Sequence, residues 1–208
     1  MCIRDRNNQQ TIPEEMLLQA GFGPKRGKLR VFFGFAAGVG KTYTMLTEAH
    51  ECLLMGKNVV IGYIEPHKRP DTNRLLEGLP QVPLKQYQHK QLTLYEPDID
   101  RLIQLKPDIV LIDELAHTNP IGARNKKRYQ DVDELLHAGI TVYTTINVQH
   151  IESLNDIVEK VTEVEVRETV PDTFFQHASL RVVDVEPDEL IDRLEQGKIY
   201  ADENAKRA

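Results

Sequence analysis

The residue types best suited to chemistry fall in two short stretches. The first is GFAAGVGKT, Gly34 to Thr42. Glycines at 38 and 40 permit backbone angles and close approaches that a side chain forbids. Such a loop turns successive backbone N–H groups inward, where they cradle phosphate oxygens, and the positive end of a following helix adds to the field. Gly38, Val39 and Gly40 would form the cradle, Lys41 would reach the β- and γ-phosphates, and the Thr42 hydroxyl would ligate Mg²⁺. The pattern G-x-x-x-x-G-K-[ST] asks for a small residue at 35, where this chain has Phe35, with Gly34 one place early. The competing reading is a glycine-rich turn that binds nothing. An apolar run before the loop and a helical pattern after it supply the context of a phosphate-binding P-loop and favour a nucleotide site.

The second stretch is DIVLIDE, residues 108–114. An apolar strand ending in acid places a carboxylate beside the glycine loop, so Asp113 is the candidate for the Mg²⁺ shell. Glu114 could orient or deprotonate an attacking water. No Asn-Lys-x-Asp segment follows a late strand, which disfavours a GTPase and leaves ATP. Ligands of open parallel sheets bind at the carboxyl ends of strands. Glu65, His67 and Arg69 fall at one such end, and Thr145, Asn147 and His150 at another. They either border a ligand or cap the elements that follow. Arg124 to Arg128 form a dense basic run, read as a solvated loop, a γ-phosphate-sensing arginine (Arg124 or Arg128) or a docking surface. The seven histidines show no metal-ligand spacing.

The elements that must position these residues follow from apolar periodicity. Strands are expected at Leu29–Phe33, Val59–Ile64, Ile109–Ile112, Ile140–Ile146 and Leu180–Val185, with a short one at Leu84–Gln88. Helices are expected at Lys41–Met55, Asp71–Glu77, Pro97–Leu105 and Tyr129–His137, across Ile151 to Val161, and from Pro187 to Gly197. Strands alternating with helices give right-handed βαβ units. The expected fold is α/β: a three-layer, P-loop NTPase-like, mainly parallel sheet with helices on both faces. The spacing suggests an extra strand between the two phosphate-site strands.

With 208 residues the chain suits one domain with a sizeable core. We expect a flexible leader with a short helix over residues 1–25, a nucleotide-binding domain over 26–200 and the start of a linker over 201–208. A net charge of −6 argues against general nucleic-acid binding. No apolar stretch reaches the length of a membrane span, so the chain reads as cytoplasmic. Only Cys2 and Cys52 are present, too few for a disulfide framework. Cys52 shares an apolar stripe with Met45, Ala49 and Leu53 and reads as a buried structural thiol.

Four stretches carry a resemblance: RGKLRVFFGFAAGVGKTYTML, VLIDELAHTN, KRYQDVDELLHAGITVYTTINVQHIESLND and VRETVPDTFF. They closely resemble the N-terminal cytoplasmic domain of the KdpD family, potassium- and turgor-responsive sensor histidine kinases. The likeness runs from about Arg26 to Tyr200, and DELAHTN and TTINVQHIESLND are its most specific parts. It implies an ATP-binding regulatory module on the cytoplasmic face of a membrane-anchored protein. In the family, a universal-stress-like domain, membrane helices and a histidine-kinase core follow, and the response regulator KdpE is the partner. By position, the family's phosphate site falls on Gly38, Gly40, Lys41 and Thr42, and its acidic strand end on Asp113 and Glu114. Lys68 departs from the family, standing where a glycine is common.

Overall fold

In the computed structural model, which describes residues 25–66, 70–89, 92–163 and 165–195, the apolar runs become a sheet that is mainly buried except for one exposed edge strand. Its strands are β1 (Leu29–Gly34), β2 (Val59–Tyr63), β5 (Ile109–Ile112), β6 (Thr141–Asn147) and β7 (Ser179–Val182). All pair in parallel, in the order β2-β5-β6-β1-β7. Strand β6 therefore lies between the strand that leads into the glycine loop and the strand that ends in Asp113. Register places Gly34 opposite Asn147 and Ile112 opposite Thr144, so β1 and β6 finish level and β5 stops three residues short of the end of β6.

Side chains alternate across a strand, and here the alternation builds two cores. Phe32, Val59, Ile61, Ile109, Leu111 and Tyr143 face one side, where helix α1 (Lys41–Leu54) contributes Met45, Leu46 and Ala49. Val31, Val60, Val110, Ile112 and Val142 face the other. There α3 (Ile99–Leu105) brings Leu102, and α4 (Arg128–His137) brings Val132, Leu135 and Leu136. Helices on both faces complete the three layers expected of an α/β fold. Cys52 packs at the edge of the first core, its Sγ 3.4 Å from the Tyr143 hydroxyl.

Element ends move for local reasons. Helix α2 is only Pro70–Arg74, shorter than the span expected from Asp71 to Glu77. Helix α3 begins after Asp98, whose side chain accepts from the Arg101 N–H, rather than at Pro97. The strand expected at Leu84–Gln88 is β3 (Lys85–His89), and it has an antiparallel partner, β4 (Leu92–Glu96), that the periodicity did not separate from loop. This ribbon stands apart from the main sheet, with Leu92, Leu94 and Tyr95 exposed. Neither face is buried, so it lacks the alternation that reveals a strand. Helices α5 (Glu152–Thr162) and α6 (Pro187–Glu195) and two short 3-10 helices, Val148–His150 and Asp172–Phe175, complete the described elements. The expected leader helix and the 201–208 linker lie outside the described residues.

Candidate functional site

Strand β1 ends in a loop that needs glycine at three of its positions, 34, 38 and 40. A side-chain carbon on Gly34 would come within 2.6 Å of Val39 Cγ2 and 3.1 Å of the Val183 carbonyl oxygen. Gly38 and Gly40 hold left-handed angles, φ 86 and 102, which glycine adopts without strain. Val39 is buried and pins the loop to the core. Phe35 is exposed and lies edge-on to Phe33, with ring centroids 5.9 Å apart. Its bulk is accommodated outside the loop, which explains how the irregular position of Gly34 is tolerated. Lys41 opens α1, and its ammonium donates to the Ala36 carbonyl at 2.8 Å.

The acid at the end of β5 is tied to this loop. Asp113 is buried and accepts from the Thr42 hydroxyl at 3.1 Å and from the Thr145 hydroxyl. Thr145 in turn accepts from the Glu114 N–H at 3.1 Å. Glu114 has φ 57, uncommon for a residue with a side chain. That turn sets the two neighbouring carboxylates side by side. Glu114 reaches solvent through the cleft, yet its surroundings crowd it. Desolvation first, then the charges of Asp113 and Glu65, push its carboxyl up to about 7.

The cleft measures about 320 Å³, within the range of small-molecule sites. Gly38, Gly40, Lys41 and Thr42 line one wall, Asp113, Glu114 and His117 another, and Thr145, Asn147, His150 and Glu168 a third. His150 donates from Nδ1 to the Glu168 carbonyl at 2.7 Å, which leaves Nε2 as an acceptor in the neutral ring. Burial holds its pKa below the ordinary value, outweighing that hydrogen bond. The Asn147 side-chain oxygen is buried without a hydrogen-bond partner and is an acceptor available at the cleft. Among the described residues no group of three or more His, Cys, Asp or Glu side chains converges as a metal cage. Thr42 and Asp113 instead offer two oxygens 3.1 Å apart. This donor set fits a hard cation such as Mg²⁺, which shares its shell with phosphates and water.

The other basic and acidic candidates separate. Glu65 is not a lining residue; it accepts from the Tyr63 hydroxyl at 2.5 Å. Arg124 lies elsewhere, bridging Asp100 at 2.6 Å and Glu134 at 2.9 Å between α3 and α4. Arg128 is fully buried. It pairs with Glu96 at 2.7 Å, donates to the Asp113 carbonyl oxygen at 3.1 Å and stacks 4.0 Å from the Tyr63 ring centre. It supports the acid from behind and does not reach the cleft. His67 and Arg69 lie outside the described residues.

Two cleft residues were not singled out from the sequence. His117 Nε2 lies 3.0 Å from Glu96 Oε1, so one buried carboxylate holds both His117 and Arg128. Burial works upward on the Glu96 carboxyl, but those two partners outweigh it and hold it below the ordinary value. Glu168 accepts from the Thr118 N–H at 2.8 Å. The signal for His117 was its place three residues beyond Glu114 in DELAHTN; Glu168 had no local signal.

These features define a three-layer α/β domain whose candidate site lies where the glycine loop meets the carboxyl ends of the central strands. The family model for KdpD, the osmosensitive K⁺ channel His kinase sensor domain, matches residues 25–208, and the chain belongs to this family. It is 59% identical over 184 residues to the sensor protein KdpD of Clostridium acetobutylicum, covering 88% of this chain and 20% of that protein. It is 49% identical over 204 residues to the sensor protein KdpD of Escherichia coli K12, covering 97% of this chain and 23% of that protein. A putative sensor protein KdpD of Synechocystis is 49% identical over 185 residues, 50% of its length. The chain thus spans about a fifth to a half of these relatives.

Proposed function

We propose that this domain binds ATP together with Mg²⁺ and acts as the regulatory module of a KdpD-type sensor histidine kinase. The observation that carries the reading is the Thr42–Asp113 contact, which joins the residue after the loop lysine to the acid at the end of β5. The loop N–H groups and Lys41 would hold the phosphates. Mg²⁺ between Thr42 and Asp113 would offset phosphate charge. Asn147 and His150 offer acceptors to the remainder of the ligand. In the whole protein, occupancy would bias phosphosignalling to the response regulator KdpE and so to potassium-transport genes. Universal-stress-like, membrane and kinase domains would be its covalent partners. Among the described residues no helix is long and apolar enough to cross a membrane, and we place the domain on the cytoplasmic face of a membrane-anchored protein.

Calorimetric titration tests the reading. Lys41→Ala removes a charge-assisted phosphate contact, so ATP affinity is expected to fall tenfold or more, with the fold kept. Wild-type affinity in that variant would refute the assignment.

A second reading, a self-contained ATPase, draws on Glu114. A carboxyl raised to about 7 is matched to taking a proton from water near neutral pH. Its side chain lines the same cleft as Lys41 and Asp113.

A further inference from the structure

One side chain joins the last described helix to the glycine loop. Arg193 of α6 donates from Nη1 to the Gly38 carbonyl oxygen at 2.7 Å. Its Nη2 is held by Glu189 one turn earlier, at 2.5 Å. The sheet prepares this contact. Strand β7 runs beside β1, and the Val183 N–H donates to the Phe33 carbonyl at 2.7 Å, one residue before the loop begins. The Val183 carbonyl is also one of the groups that leave no room for a side chain at Gly34. One flank of the loop is therefore built by β7 and α6, far away in sequence.

A loop that presents its N–H groups to an anion must satisfy its carbonyl groups elsewhere. Arg193 does so for Gly38 with a cationic donor, the stronger kind of hydrogen bond. A donor on a peptide carbonyl polarises the whole peptide unit. The N–H of that unit belongs to Val39, inside the cradle, and it becomes a better donor to phosphate. We propose that Arg193 is a positioning residue of the phosphate loop and that it ties occupancy of the loop to the order of α6. The proposal rests on the nucleotide reading above. Because coupling is reciprocal, whatever steadies α6 strengthens nucleotide binding, and nucleotide steadies α6.

The test is backbone hydrogen exchange on the full chain, with and without Mg²⁺-ATP, alongside calorimetric affinity. In the wild type, ATP is expected to slow exchange both at the start of α1 and in α6. In Arg193→Ala the slowing remains at α1, is lost in α6, and affinity falls about tenfold. Arg193→Lys, which keeps one cationic donor, recovers part of both effects. Glu189→Gln leaves the guanidinium in place but unanchored, and gives a smaller loss should the alanine variant fold poorly. Protection of α1 without α6 in the wild type would overturn the proposal, as would undiminished affinity and α6 protection in Arg193→Ala. Absence of any heat or protection in the wild type would refute the nucleotide reading itself, and this proposal with it.

Discussion

Replacing Glu114 with glutamine isolates the cost of setting that acid beside Asp113. In the folded domain the carboxyl is raised from 4.5 to about 7, by desolvation first and then by Asp113 and Glu65. The fold therefore holds a proton over that interval which the unfolded chain has released. Stability contributed by the protonated form is complete below the unfolded value, falls as pH rises towards 7, and is lost above it. Taken at face value the difference is worth roughly 3 kcal/mol. The side chain reaches solvent, which screens these charges, so about half, ~1–2 kcal/mol, is the expected cost of ionised Glu114 near neutral pH and above. Glutamine keeps the shape and discards the charge. In urea unfolding without metal or nucleotide, Glu114→Gln should match the wild type at about pH 4 and exceed it by ~1–2 kcal/mol at about pH 8. A stability difference that stays constant with pH would refute the argument, because packing and hydrogen bonding alone do not titrate.

The same variant separates the two functional readings. Appreciable steady-state ATP turnover in the wild type, lost in Glu114→Gln while ATP binding persists, would establish hydrolysis and end the reading of a pure sensor. Arg128→Met should destabilise the fold by about 3–5 kcal/mol, because it leaves Glu96 buried without its main counter-charge. Adding Glu96→Gln to Arg128→Met should recover part of that loss in urea unfolding. A mild effect of Arg128→Met alone would show that Glu96 is less enclosed than the structure has it.

What the sequence makes legible here is what continuous segments carry. The strand, loop and helix around GFAAGVGKT are contiguous, so the glycine spacing announces its own geometry. The acid of DIVLIDE ends an apolar run, and parallel pairing then brings every such end to one edge. Thr145, Asn147 and His150 reach the cleft by the same rule, since β6 is the strand between. Pairings across long separations are not legible in this way. The basic run from Arg124 to Arg128 reads as one solvated loop, yet its members part company. Arg124 bridges two helices at the surface, Lys127 donates to the Thr118 hydroxyl at 2.7 Å, and Arg128 turns inward. The difference lies in where α4 begins. Arg128 is its first residue, and α4 packs its apolar side on the sheet beneath Asp113, so the side chain at that turn is carried under the acid. A guanidinium can be buried there only with a carboxylate to meet it, and Glu96 arrives from the end of an exposed ribbon that no periodicity revealed. Having come inside, Arg128 donates to the Asp113 backbone and shares Glu96 with His117, which lines the cleft. A charge that the sequence leaves open between solvated loop, phosphate sensor and docking surface thus holds in place the peptide that carries the buried acid Asp113. Its loss should therefore be felt in stability before it is felt in binding.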